Sequence, residues 1–165
     1  MTKTQENLSA AFAGESQANR KYLAFAKQAE ADGFPQVAKL FRAVAAAETV
    51  HALSHLRVLG EVKTTAENLQ AAISGENYEH VSMYPAFIEE AEAAGEKRAV
   101  GTFNRAMAVE VEHEALYRGA LENLGSDQGD LDYYVCPVCG STHYGKPPEK
   151  CPVCGTLGSK FERIS

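Results

Sequence analysis

The sequence has no tryptophan, no cysteine before position 136 and no apolar run of the ~18 residues that a membrane span requires. No transmembrane segment is therefore expected. The N-terminal stretch MTKTQENLSA lacks the apolar centre of a secretory signal, and a cytoplasmic location is the resulting expectation. Excess positive charge is also missing: the formal net charge of -6 argues against nucleic acid as a main partner. No glycine-rich fingerprint follows a strand-like run, so the chain is not expected to bind a dinucleotide itself. Abundant alanine without tryptophan suits closely packed helices. At 165 residues the chain can build one substantial core and a small satellite.

Glycine and proline divide the first 125 residues into four long segments. The first runs from about Thr4 to Ala31 and stops before DGFP. The second starts at Pro35, a residue favoured in the first helical turn, and stops at Gly60. The third starts near Thr64, where TTAE reads as a capping box closed by Glu67, and ends before Gly95. Pro85 interrupts it and should bend it locally. The fourth runs from about Glu96 to Leu124. Each carries apolar residues at three-and-four spacing, as in Val37, Phe41 and Val44 of the second or Val100, Phe103 and Met107 of the fourth. The expected fold is an all-α four-helix bundle over residues 1–125. A polar linker at 126–133 and a small C-terminal domain at 134–165 follow.

The position of the acids is unusual. Glu15, Glu48, Glu76, Glu79 and Glu110 fall inside the apolar stripes, where an unpaired carboxylate costs several kcal/mol or shifts its pKa. Five such groups aimed at one core repel each other, and a cluster of cations removes that repulsion. Two of them belong to Glu-x-x-His pairs, Glu48 with His51 and Glu110 with His113. With 18 Glu and 5 His, chance gives roughly half of one such pair. The two pairs are offset by 62 residues, and Glu15 matches Glu76 at an offset of 61. One Glu from each of two helices and Glu-x-x-His from each of the other two is the ligand set of a carboxylate-bridged di-iron or di-manganese bundle.

Other candidates read differently. Glu112 points off the stripe, and Glu114 could reach it but matches Ala52 in the first half, which favours Glu110. His55 is expected beside the site or on the surface. His80 and His143 are expected to be structural. Glu79 has Ala18 as its counterpart and is a fifth carboxylate without symmetry. Five carboxylates against two ferric ions leave one positive charge; four with His51 against two ferrous ions leave none. An exchange of Glu79 for His51 on reduction would thus hold the buried charge nearly constant.

All four cysteines lie in the last 30 residues, as two CPVCG knuckles: Cys136 with Cys139, and Cys151 with Cys154. This spacing specifies a tetrahedral four-thiolate site. Spacing alone fits iron and zinc equally. The tail has no helical period, is too small for a core of its own and needs a metal to fold.

The stretches AFAGESQANRKYLAFA, AETVHALSHL, SGENYEHVSMYP and EVEHEALYR, with the doubled CPVCG, cover nearly the whole chain. Together they resemble the rubrerythrins, ferritin-like di-iron bundles fused to a rubredoxin-like iron centre. The resemblance implies that Glu15, Glu48, Glu76, Glu79, Glu110 and His113 hold two irons, with His51 as the ligand that exchanges with Glu79. Tyr22 and Tyr84 match tyrosines beside the iron pair. The cysteines match ligands of a single iron, which zinc can replace in purified protein. The implied activity is reduction of hydrogen peroxide to water in oxidative-stress defence. The implied electron source is a separate NAD(P)H-dependent reductase or a rubredoxin. The residues after the first knuckle, GSTHYG, lack the aromatic that often follows Gly140, which bears on the potential rather than on ligation.

The link between the second and third helices is also short. A crossover along a helix of about 25 residues must span roughly 37 Å, whereas the five residues from Gly60 to Thr64 reach at most about 18 Å. A homodimer that swaps its first two helices is therefore expected. Each site would then combine Glu15, Glu48 and His51 of one chain with Glu76, Glu79, Glu110 and His113 of the other. Two further readings compete with the peroxidase. A ferritin-type ferroxidase shares the Glu-x-x-His helices but does not need the cysteine tail. A non-catalytic scaffold with a zinc ribbon leaves five buried acids unexplained.

Overall fold

The computed structural model describes residues 1–126 and 129–165; Asp127 and Gln128 of the expected linker lie outside the described residues. Packing divides the chain into two compact units, Met1–Lys63 and Thr64–Ser165.

The first unit is a helical hairpin of α1 (Lys3–Ala31) and α2 (Pro35–Leu59). Thr2 and Gln5 form a capping box at the start of α1, closing two otherwise unpaired N–H groups. Gly33, at φ 81°, supplies the left-handed turn between the helices. Small side chains let the two backbones approach: Ala26, Ala29 and Ala38 are buried together, with Phe41 packed against them. The Asn19 amide crosses the hairpin and donates to the carbonyl oxygen of Ala45 at 2.7 Å.

The second unit begins with α3 (Thr65–Tyr78), whose N-terminus is the expected Thr64–Glu67 capping box. The third segment is not one bent helix. A π turn at Glu79–Met83 separates α3 from α4 (Tyr84–Ala93). The N–H of Tyr84 bonds to the carbonyl of Glu79, five residues back. Pro85 follows at once and has no N–H to give the preceding turn, and the ladder widens here. Helix α5 (Lys97–Glu122) packs along α3 and α4. The tail forms a three-stranded antiparallel sheet in the order β2-β1-β3, from β1 (Tyr133–Val135), β2 (Thr142–Tyr144) and β3 (Glu162–Ile164). Gly158 is obligatory here, because a Cβ would lie 1.8 Å from the carbonyl oxygen of Pro148.

The apolar stripes are less buried than their pattern implies. Phe25, Val37, Val58 and Phe87 are exposed, and the buried apolar residues of the helices are mostly alanines. A two-helix hairpin covers only the side chains facing its partner helix, so the stripes are surplus to the hairpin itself. No helix among the described residues is long and apolar enough to cross a membrane.

Candidate metal centres

Each unit brings together one carboxylate from its first helix and a Glu-x-x-His pair from its last. In the first unit, donor atoms of Glu15, Glu48 and His51 all lie within 4.8 Å of one another. In the second, Glu76, Glu110 and His113 do the same. Three residues along a helix turn a side chain by about 60°, so Glu and His share a face. In both units the histidine Nδ1 lies 2.8 Å from the glutamate Oε2. Two ligands on one ion, with bonds of about 2.1 Å and a near-right angle between them, stand about 3 Å apart. The oxygen and imidazole donors therefore suit a pair of iron ions, and the spacing matches chelation of one ion by each Glu–His pair.

The acids are half-buried rather than buried. Even so, the second unit carries the electrostatic signature of crowded carboxylates. Burial pushes the Glu76 carboxyl above its ordinary range, and the charge of Glu110 adds to the shift. Glu79 is raised by burial and then by Glu76. Tyr84 is raised by burial and by Glu79, Glu110 and Glu76, which keeps its phenol protonated. A bound cation reverses the sign of this strain, since it favours the carboxylates that are otherwise penalised.

Glu79 stands apart from the three-residue cluster, at the first position of the π turn. Tyr22 packs on Phe25 and Phe41, with ring centroids 6.2 Å from each. Tyr84 packs on Phe87 and Phe103 at 6.4 and 6.1 Å. These trios are related by the same offset of 62 as the two Glu-x-x-His pairs. That repetition was available in the sequence as a further sign of duplication. His55 is half-buried. His143 lies 3.1 Å from the Ser141 hydroxyl and packs on Phe161.

Two acids differ from their expected settings. Glu114 does not join the metal-type cluster, yet it is among the few buried charged residues described. It accepts from Arg118 Nε at 2.7 Å and from Asn77 at 3.2 Å, and it pairs with His80 Nε2 at 2.5 Å. His80, Arg118 and Asn77 hold its carboxyl down to about 2. The i,i+4 spacing of Glu114 and Arg118 was a readable signal; the His80 contact spans 34 residues and was not. Glu112, expected to face away, has one buried oxygen without a hydrogen-bond partner among the described residues.

In the tail, the four cysteines converge. Cys136 and Cys154 sulfurs are 3.6 Å apart, and those of Cys139 and Cys151 are 3.4 Å apart. A disulfide needs about 2.05 Å, whereas four sulfurs about 2.3 Å from a central metal stand about 3.8 Å apart. Gly140 and Gly155, at φ 87° and 77°, let each knuckle turn back on its first cysteine. Their N–H groups donate to the carbonyls of Cys136 and Cys151, both at 2.9 Å. The Thr156 hydroxyl beside Cys154 draws that thiol down to about 6, while burial pushes Cys139 up. The donor set suits a soft tetrahedral ion such as iron or zinc.

Fold and site together define a carboxylate–histidine di-iron protein of the ferritin-like class that carries its own rubredoxin-like four-cysteine centre. The family model "Rubrerythrin" matches residues 6–121, and "Rubrerythrin, rubredoxin-like domain" matches residues 134–162. The chain belongs to the rubrerythrin family, di-iron oxidoreductases of oxidative-stress defence. It is 39% identical to nigerythrin of Nitratidesulfovibrio vulgaris, over 92% of this chain and 81% of that protein. It is 36% identical to rubrerythrin of Porphyromonas gingivalis, over 98% of this chain and 90% of that one. The structure of nigerythrin in a mixed-valence state matches with a TM-score of 0.61 and 38% identity, covering 99% of this chain and 88% of that one.

Proposed function

We propose that this protein is a non-haem di-iron peroxidase that reduces hydrogen peroxide to two waters with two electrons and two protons. The observation that carries the reading is the pair of matched carboxylate–histidine clusters in one chain with a four-thiolate site. A ferroxidase needs no such third centre, and a scaffold needs neither cluster. Glu15, Glu48, His51, Glu76, Glu79, Glu110 and His113 would hold two irons, and Cys136, Cys139, Cys151 and Cys154 a third. When bound, the irons supply electrons to the O–O bond and pass on those drawn from a separate NAD(P)H-dependent reductase or a rubredoxin.

The chain's own residues supply the rest. Tyr84 keeps its proton on the phenol oxygen and so offers an O–H donor beside three acids. Tyr22 occupies the matching place in the first unit. Glu79 lies on a π turn and His51 on an exposed helix face, the two positions proposed to exchange. The proposed domains are 1–125, 126–133 and 134–165, and the proposed location is the cytoplasm. The assembly proposed is a homodimer in which residues 1–63 of one copy complete the site of the other. The short Gly60–Thr64 link supports it, as does the split of the donors into one three-residue cluster in each unit.

The test is anaerobic addition of peroxide to the fully reduced protein. Near three irons per chain, rapid reoxidation and repeated turnover with a reductase support the peroxidase. Iron oxidation by dioxygen with no peroxide turnover would point to the ferroxidase. One zinc per chain and no response after iron reconstitution would leave the scaffold.

A further inference from the structure

The two matched histidines have different outer neighbours. His51 is 55% exposed, and its polar contact among the described residues is Glu48. His113 is 26% exposed, and its far nitrogen meets the cysteine domain. His113 Nε2 lies 3.1 Å from the Thr142 hydroxyl oxygen and 3.4 Å from the Gly140 carbonyl oxygen. Thr142 spends its only hydroxyl hydrogen on that same Gly140 carbonyl, at 2.9 Å. Its oxygen therefore faces the imidazole with lone pairs. Two acceptors opposite Nε2 favour the ring hydrogen there. Nδ1 then keeps its lone pair toward Glu110 Oε2, 2.8 Å away, and Glu76 Oε1, 4.0 Å away, a meeting of acceptors that a cation at this point satisfies.

We infer that Thr142 is a positioning residue for the metal centre: its hydroxyl fixes the His113 ring with Nε2–H outward and Nδ1 toward the metal. Gly140 directly follows Cys139, so the hydrogen-bonded link joins one knuckle of the four-cysteine site to a ligand of the other site. An acceptor on the outer N–H of a ligating histidine sets tautomer and orientation, and its loss typically weakens metal binding 10–100-fold. The inference rests on the reading of His113 as a ligand and is independent of peroxidase activity.

The test uses full-length protein labelled with 15N-histidine and loaded with zinc at all sites. Nitrogen NMR should show His113 with hydrogen on Nε2, protected from exchange. Thr142→Val should lose that protection and weaken zinc binding at the carboxylate–histidine site about tenfold in chelator competition. Thr142→Ser should restore both, and the four-cysteine zinc should stay bound throughout. Hydrogen on Nδ1 in the zinc-loaded parent protein would overturn the inference, whether or not the variants fold. So would a folded Thr142→Val with parental affinity. If His113→Ala binds zinc as tightly as the parent, the failure lies in the ligand reading beneath it.

Discussion

The two helical halves carry one plan with two finishes. Both present a Glu and a Glu-x-x-His pair, and both back it with a Tyr–Phe–Phe trio. In the first half the remaining cross-helix polar ties are the Asn19 amide on the Ala45 carbonyl and on Thr49, and an exposed Arg42–Glu30 ion pair at 2.7 Å. In the second the tie is a buried charge, Glu114, held by His80, Arg118 and Asn77. The second half also gains the π turn, the extra Glu79 and the Thr142 anchor on His113. The metal-type donors and the aromatic trio behind them are thus repeated, while the polar contacts that hold or supplement them are not. A duplicated hairpin can diverge in its supports without losing its ligand set, because ligand spacing is local to two helices and the supports are not. The asymmetry fits a centre in which His113 is fixed while His51 and Glu79 are free to trade places.

The largest expected effect tests whether the halves act across chains. Glu48→Ala and Glu110→Ala should each lose peroxidase activity by at least ~100-fold, since each removes a ligand from both sites of a dimer. Mixed and reassembled, the two variants should regain about one quarter of the parental turnover. In a swapped dimer, half of the randomly formed pairs are mixed, and each of those holds one intact site of two. Unswapped chains would give no recovery, because each retains its own defect. The next effect compares the helical units with the tail. Chelation of the four-cysteine metal removes on the order of 10 kcal/mol of binding free energy, and the three short strands have almost no apolar core beneath them. Amide signals of residues 134–165 should collapse while helical circular dichroism is largely kept. Concerted loss of both would mean that the helices depend on the tail.

How much of this was legible depends on the range of the contact. The helix stops, the Thr64–Glu67 capping box and both CPVCG knuckles are written within a few neighbouring residues, and so they could be read. The ligand triads could be read because duplication put them at nearly one offset, 61 for the lone Glu and 62 for the pairs. Pro85 announced a disturbance, but not that it would take the form of a widened ladder. The Glu114–His80 and His113–Thr142 contacts join residues 34 and 29 apart, with no repeat to flag them. The exposed stripes were misjudged for a related reason: period marks which face is apolar, not what covers it.

A third effect measures the buried charged tie, where the first half has only an exposed ion pair. Glu114→Gln should lower the Tm by roughly 5 °C at neutral pH, since it leaves His80 and Arg118 without their anion. The carboxyl is held at about 2 against an ordinary 4.5. In the folded state it therefore binds fewer protons than in the unfolded state, and its stabilisation is complete above 4.5 and fades toward 2 as the pH falls. The gap between parent and variant should close over that window. A constant gap would assign the loss to packing.

The smallest effect has the opposite sign and separates a strained acid from a satisfied one. Burial first, and the Glu110 charge second, raise the Glu76 carboxyl above 4.5. The folded, metal-free protein then binds more protons than the unfolded chain just above that pH. Its stability falls as the pH rises through the window that starts at 4.5. Glu76→Gln removes the charge that causes the loss. Metal-free, the variant should melt roughly 2–4 °C above the parent at pH 7 and match it near pH 4. Metal-loaded, the order should invert, because the parent's carboxylate now binds the cation that its neighbours cannot neutralise. Thermal melts at both pH values, with and without metal, read this directly. A variant that is less stable in all four conditions would mean that Glu76 serves packing rather than a metal.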